Sequence, residues 1–276
     1  MSQSRGAKIV SGLESTTIEP PPSGPRMSSP HKHPIAPFDY SLPSRNRFYC
    51  WLAVPLFRFF NSIYFSHRYL RGRERVPKKG PVILALNHPA VADALLVGAY
   101  LSRRRLAYFM AEEELFFDRF PFRLIASLIR PLGAFPVDRR LPVDRRAIAY
   151  AIDRLAEGEL LALAPEGGTE RGWGLLPFRS GFAQLALRAR ERRIQAGASA
   201  DMQIVPAAVL YRETTRGLRT KKAMRFRAKA VVLIGDPFSL EPFLDPEKKN
   251  GQIADEIAEY TRNRVSELLR ELQQVL

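Results

Sequence analysis

With 276 residues, 46% of them hydrophobic, the chain suits one α/β domain with appendages better than two full domains. Lys and Arg number 43 against 28 Asp and Glu, a formal charge of +15, which draws the surface to polyanions, either nucleic acid or an anionic membrane face. The single cysteine, Cys50, excludes an intramolecular disulfide and a cysteine-based zinc site, and no Lys/Arg tract is long enough to look like a nucleic-acid arm.

Residues 1–45 are rich in Pro and Ser, including Pro20, Pro21 and Pro22. Such a stretch cannot bury enough apolar surface to offset the entropy of ordering, which predicts a disordered leader. It lacks the apolar core of a secretory signal, and Glu14, Glu19 and Asp39 argue against a transit peptide. From Phe48 to Phe65 aromatic and aliphatic residues dominate, but Pro55, Arg58 and Asn61 interrupt the run. It stops short of the roughly 20 apolar residues a spanning helix needs. The expectation for residues 46–76 is two short aromatic-rich helices lying in a membrane interface. Arg45, Arg47, Arg58, Arg68, Arg71, Arg73 and Arg75 would face headgroups. An ordinary helix packed on the domain is the plainer alternative. A single span would place Arg58 near its middle at a cost of roughly 2.5 kcal/mol or more.

The α/β body is expected over residues 77–276. Strand candidates are Val82–Leu86, Leu106–Met110, Gly133–Val137, Leu160–Ala164, Ile204–Tyr211 and Ala228–Ile234. Helix candidates are Val91–Leu101, Pro121–Ile129, Arg145–Glu157, Phe182–Ile194 and an amphipathic closing helix, Ile253–Leu272. Strands alternating with helices predict a mixed, largely parallel sheet flanked by helices. The last two strands, joined by the basic turn Arg212 to Lys222, are expected to form an antiparallel edge.

The stretch Asn87 to Asp93 follows the first apolar strand candidate and opens a helix, which delivers an imidazole to the carboxyl end of the sheet, where ligands bind in open α/β folds. Inside one regular helix His88 and Asp93 would diverge by about 140°. With His88 at the cap, its ring can fold back to Asp93. A carboxylate on one ring nitrogen fixes the tautomer and leaves the other free to take a proton. No Ser, Cys or Thr lies within the motif, so the hydroxyl to be activated would come from a substrate. A cap histidine and a helix-start aspartate kept for stability alone fit the same pattern.

Three later blocks carry chemistry-bearing residues. Gly133 to Arg140 ends a short strand in Asp138, Arg139 and Arg140, where an arginine can grip a phosphate with two parallel hydrogen bonds, or simply pair with an aspartate at the surface. Ala164 to Arg171 follows another strand, and its adjacent Gly167 and Gly168 let backbone N–H groups approach an anion, or merely turn the chain. Phe178 to Gly181 places Arg179 near a helix start, and Val205-Pro206 opens a strand.

In this order the blocks resemble the lysophosphatidic acid acyltransferase family, the glycerolipid acyltransferases with an NHxxxxD box. The resemblance runs over most of Val82 to Tyr211. It comprises the His-Asp box at Asn87 to Asp93, the acceptor-phosphate box at Gly133 to Arg139, a Glu-Gly-Thr-Arg-like box at Glu166 to Arg171 with Phe178 to Gly181 after it, and Val205-Pro206. It implies acyl transfer from acyl-CoA or acyl carrier protein to a lysophospholipid hydroxyl at an anionic membrane surface, on the cytoplasmic face, with no metal or cofactor and no nucleic acid. His88 would be the general base and Asp93 its orienting partner. Arg139 would clamp the acceptor phosphate, Glu166, Gly167 and Thr169 would form the acceptor loop with Arg179 near it, and Arg171 would make a second phosphate contact. Two features depart from the family pattern. Pro89, Ala90 and Val91 follow the histidine where a polar residue is common, and Gly168 and Glu170 are inserted in the third box, where a carboxylate opposes a highly anionic acceptor. A different lysolipid or alcohol acceptor, or a non-catalytic membrane protein on the same scaffold, are the alternatives.

Overall fold

In the computed structural model the described residues are 38–41, 44–90, 93–113, 122–167, 175–212 and 228–275. Eight strands form one sheet: β1 (His67–Arg71), β2 (Val82–Leu86), β3 (Ala107–Glu112), β4 (Ala134–Val137), β5 (Leu160–Leu163), β6 (Gln203–Arg212), β7 (Lys229–Ile234) and β8 (Phe238–Ser239). The order is β1-β7-β6-β2-β5-β3-β4, with β8 paired to β6. From β6 to β4 every neighbouring pair is parallel. β7 runs antiparallel to β6, and β1 lies parallel to β7. The sheet is therefore mixed and mostly parallel, as the alternation of strands and helices predicts.

The helices are α1 (Arg47–Tyr64), α2 (Asp93–Leu101), α3 (Phe122–Ile129), α4 (Arg145–Ala156), α5 (Gly181–Gln195) and α6 (Asn250–Val275). All five residues of β2 are buried because both faces of the sheet are covered. Ile83 and Ala85 pack with residues of α4, α5 and the first half of α6. Val82, Leu84 and Leu86 pack with Leu96, Val97 and Leu101 of α2 and with Phe65, at the end of α1. Pro206 sits in β6 where its antiparallel partner changes from β8, opposite Gln203 and Ile204, to β7, which starts pairing at Ala207. Its missing N–H falls at that break, so a proline is tolerated in an interior strand.

Three sequence expectations are corrected. The antiparallel β6–β7 pair exists but is not the edge. β1 covers it, so the sheet begins at His67 rather than near residue 77. Residues 46–76 do not form two short helices: α1 is one helix with Pro55 inside it, followed by β1 and a 3-10 turn at Arg73–Arg75. Pro55 deletes one backbone bond, and the remaining ladder plus the Asn46 side chain, which accepts from Tyr49 N at 2.9 Å, holds the helix together. Of the arginines assigned to headgroups, Arg45 pairs with Glu159 at 2.6 Å and lies over the Tyr108 ring, Arg73 lies over Tyr100, and Arg75 binds Asp236 at 3.3 Å. The leader also shortens. Tyr40 donates to the Pro136 carbonyl at 3.1 Å, Phe38 and Tyr40 pack on Tyr150, and the Tyr150 hydroxyl accepts from Ser44 N at 2.7 Å.

Helix α1 buries Cys50 and Ala53 and packs against α2 and the turn before β4, and Tyr49 donates to the Leu128 carbonyl at the end of α3 at 3.1 Å. Its other side leaves Phe48, Trp51, Leu52, Leu56, Phe59, Phe60 and Ile63 exposed. Among the described residues no helix is long and apolar enough to cross a membrane.

Candidate active site

Five parallel strands present their carboxyl ends on one side of the sheet, and the chemistry-bearing blocks follow three of them, β2, β4 and β5. Asn87 leaves β2 and is pinned to β6 by two bonds, Nδ2 to the Val209 carbonyl at 2.9 Å and Val209 N to Oδ1 at 2.7 Å. Those bonds continue the β2–β6 ladder by one side chain and fix where the next residue starts.

That residue is His88. Its Nδ1 lies 3.0 Å from Asp93 Oδ2, with the Asp93 side chain 1% exposed and the imidazole 28% exposed. A carboxylate acceptor there selects the Nδ1–H tautomer, leaving Nε2 as the nitrogen to exchange a proton. His88 and the two residues after it are non-helical, and from there the ring reaches back to the carboxylate at the start of α2. Asp93 Oδ2 also accepts from Ala90 N at 3.0 Å, and Asp93 Oδ1 accepts from the Tyr211 hydroxyl at 2.5 Å. Burial pushes the Asp93 carboxyl above its ordinary range, and the hydrogen bonds from His88, Tyr211 and Ala90 pull against that rise. Burial, and then the neighbouring Asp93 carboxylate, hold the Tyr211 phenol well above its ordinary value, so it stays a donor.

Glu166, in the turn after β5, is also buried. Its Oε1 accepts from His88 N at 3.1 Å and its Oε2 from Leu176 N at 3.4 Å. Glu166 therefore ties the third block to the histidine from behind, through backbone rather than through the ring. The next residue, Gly167, has φ +67, and a Cβ there would lie 3.0 Å from Arg179 Nε. The glycine is required by both its backbone and its close approach to that guanidinium. Arg139 reaches the same point from β4: its Nη2 donates to the Gly167 carbonyl and its Nη1 to Glu112 Oε2 at 3.2 Å. Asp138 is taken by Arg140, with Oδ1 2.8 Å from Arg140 Nε, and that bond holds the Asp138 carboxyl below its ordinary range.

The structure thus brings His88, Asp93 and Glu166 together, and Arg139, Gly167 and Arg179 together beside them. Thr169 and Arg171 lie outside the described residues, as do Gly168 and Glu170. Asn87, Tyr211 and Glu112 take part without having been singled out as site residues. Asn87 was visible as the first letter of the motif. Tyr211 closes an apolar run and reads as core, and Glu112 opens an acidic run and reads as solvated surface. Among the described residues no three His, Cys, Asp or Glu side chains gather where they could hold a metal ion.

Chemically, the site offers a proton acceptor braced by a buried carboxylate, with two guanidiniums one or two strands away. A search of curated proteins gives no match. Among solved structures the chain is similar to the 1-acyl-sn-glycerophosphate (LPA) acyltransferase PlsC from Thermotoga maritima, with 22% identity, a TM-score of 0.58 and coverage of 83% of each chain. That likeness shows a shared fold. The family model described as Acyltransferase matches residues 67–210, from the first residue of β1 almost to the end of β6 and across every block of the site. The chain belongs to the acyltransferase family.

Proposed function

We propose that this protein transfers a fatty acyl group from acyl-CoA or acyl carrier protein to the hydroxyl of a lysophosphatidic acid-like glycerolipid, as a step in phospholipid synthesis. The observation that carries the reading is the His88 imidazole, bonded at Nδ1 to a buried carboxylate and partly open to solvent on a sheet rim that also bears Arg139 and Arg179. His88 Nε2 takes the proton of the acceptor hydroxyl as that oxygen attacks the thioester carbonyl. The tetrahedral intermediate then expels the thiolate, which recovers the proton from the imidazolium. Asp93 holds the ring and its charge through the step, and Tyr211 and Ala90 N–H hold Asp93. Arg139 and Arg179 receive the acceptor's phosphate, with Thr169 and Arg171 in the same acceptor loop. No metal or cofactor enters beyond the thioester co-substrate.

The exposed rings of α1 support docking on the cytoplasmic face of an anionic membrane, where they would enter the headgroup boundary while the net charge of +15 draws the domain to the surface. Docking matters because the acceptor is held in the bilayer and the donor comes from water. The test is to incubate purified protein with a panel of lysolipids and labelled acyl-CoA or acyl carrier protein. The expected result is a labelled diacyl product together with one free thiol per ester formed. No product with any acceptor from either donor would contradict the reading.

A further inference from the structure

Arg139 already has an acidic partner. Its Nη1 meets Glu112 Oε2 at 3.2 Å, with the two side chains 48% and 35% exposed. Glu112 is the last residue of β3, the strand between β5, which carries Gly167, and β4, which delivers Arg139. Neighbouring strands lie about 4.8 Å apart, so this carboxylate stands about two strand spacings from the end of β2 and His88. Arg139 also bonds the Gly167 carbonyl, which draws its guanidinium back across β3 toward the histidine loop. A headgroup phosphate reaching from the base to Arg139 therefore arrives beside a carboxylate. Asp138 does not share that role, because it is held by Arg140.

We infer that Glu112 is a specificity-determining residue that sets the charge of the acceptor headgroup, disfavouring a phosphomonoester dianion and favouring a phosphodiester that ends in an ammonium group. The inference rests on the acyl-transfer reading above. A phosphomonoester is close to dianionic above its second pKa near 6, and brings two negative charges to a subsite where Glu112 already offsets one of the two guanidinium charges of Arg139 and Arg179. A zwitterionic headgroup uses the acid as well as the bases, with its phosphate on Arg139 and Arg179 and its ammonium on Glu112. One extra charge some 6 Å from a half-solvated carboxylate changes affinity by about 3- to 10-fold.

The experiment compares wild type, Glu112→Gln and Glu112→Asp on lysophosphatidic acid and lysophosphatidylethanolamine of one chain length. Both acceptors are presented in uncharged mixed micelles at a pH near 8, with acyl-CoA and acyl carrier protein each tried as donor. Removing the charge is expected to raise the ratio of kcat/KM for lysophosphatidic acid over lysophosphatidylethanolamine by about 3- to 10-fold, through KM. Glu112→Asp, which keeps the charge, should hold the ratio near wild type. An unchanged or falling ratio in Glu112→Gln, or an equal drop in kcat for both acceptors, overturns the role given to Glu112 and leaves acyl transfer standing. No transfer by wild type to either acceptor or to monoacylglycerol overturns the acyl-transfer reading and this inference with it.

Discussion

The Tyr211 hydroxyl donates to Asp93 Oδ1 at 2.5 Å, joining the end of β6 to the start of α2 across 118 residues of chain. Its ring stacks on Phe65, with centroids 5.9 Å apart, at the point where α1 ends. Asp93 is thus held from the sheet as well as from its own loop, and α1 finishes one ring away from the dyad. Replacing Tyr211 with Phe keeps the stack and deletes one hydrogen bond. The lost bond lowered the Asp93 carboxyl, so the carboxylate with neutral imidazole becomes the less favoured state of the pair and the dyad holds its proton more tightly. The acid limb of the kcat profile should move to higher pH. A pH–rate series on the variant checks this; a limb that stays in place or moves down contradicts it.

Arg139→Ala should raise the acceptor KM by about tenfold or more and change kcat little, because the side chain meets the headgroup and not the reacting carbonyl. Steady-state kinetics with the acceptor varied at saturating acyl donor reads this split. An unchanged KM rejects Arg139 as the clamp.

At Gly167 a methyl group would need a left-handed backbone and a place 3.0 to 3.2 Å from the Arg179 side chain. Gly167→Ala is therefore expected to cost about 1–2 kcal/mol of stability, and to raise the acceptor KM as Arg179 is pushed off the loop. Denaturant unfolding measures the first effect and kinetics the second. A variant of wild-type stability and KM would show that the loop is free to rearrange.

Much of the frame is legible in the chain. β2 and β7 from Ala230 onward are apolar runs buried on both faces, β5 is an apolar run whose first two residues are buried, and α4 begins after Asp144, whose side chain accepts from Arg146 N at 3.1 Å and Ala147 N at 3.2 Å. β1 escapes because it is an edge strand whose five residues include His67, Arg68 and Arg71, and no run of apolar side chains announces it. The His88–Asp93 contact is readable from spacing because both ends lie in one loop. The contacts of Tyr211 with Asp93, Glu166 with the His88 backbone, and Glu112 with Arg139 are long-range. They are set by which strands neighbour one another, an order that local patterns do not encode. Pro55 misleads in the opposite sense, since it signals a break that a long capped helix absorbs.

The exposed side of α1 gives a separate prediction. Phe48 and Trp51 are each 73% exposed and Phe59 is 59% exposed. A ring transferred into lipid is worth about 1.5–3 kcal/mol, so the double variant Trp51→Ser with Phe59→Ser should lower partitioning onto anionic vesicles by tenfold or more. Transfer to a short-chain acceptor dispersed as monomers should stay near wild type. Vesicle co-sedimentation at physiological salt supplies the measurement, and undiminished binding would remove α1 as the docking face.

The most direct measurement is the rate of acyl transfer by His88→Ala, with vesicle binding followed in the same sample. Loss of a positioned general base costs about 10²- to 10⁴-fold, so transfer should fall by that much while binding and the unfolding midpoint stay near wild type. Transfer at the wild-type rate in the variant would contradict the assignment of His88 as the base and, with it, the mechanism.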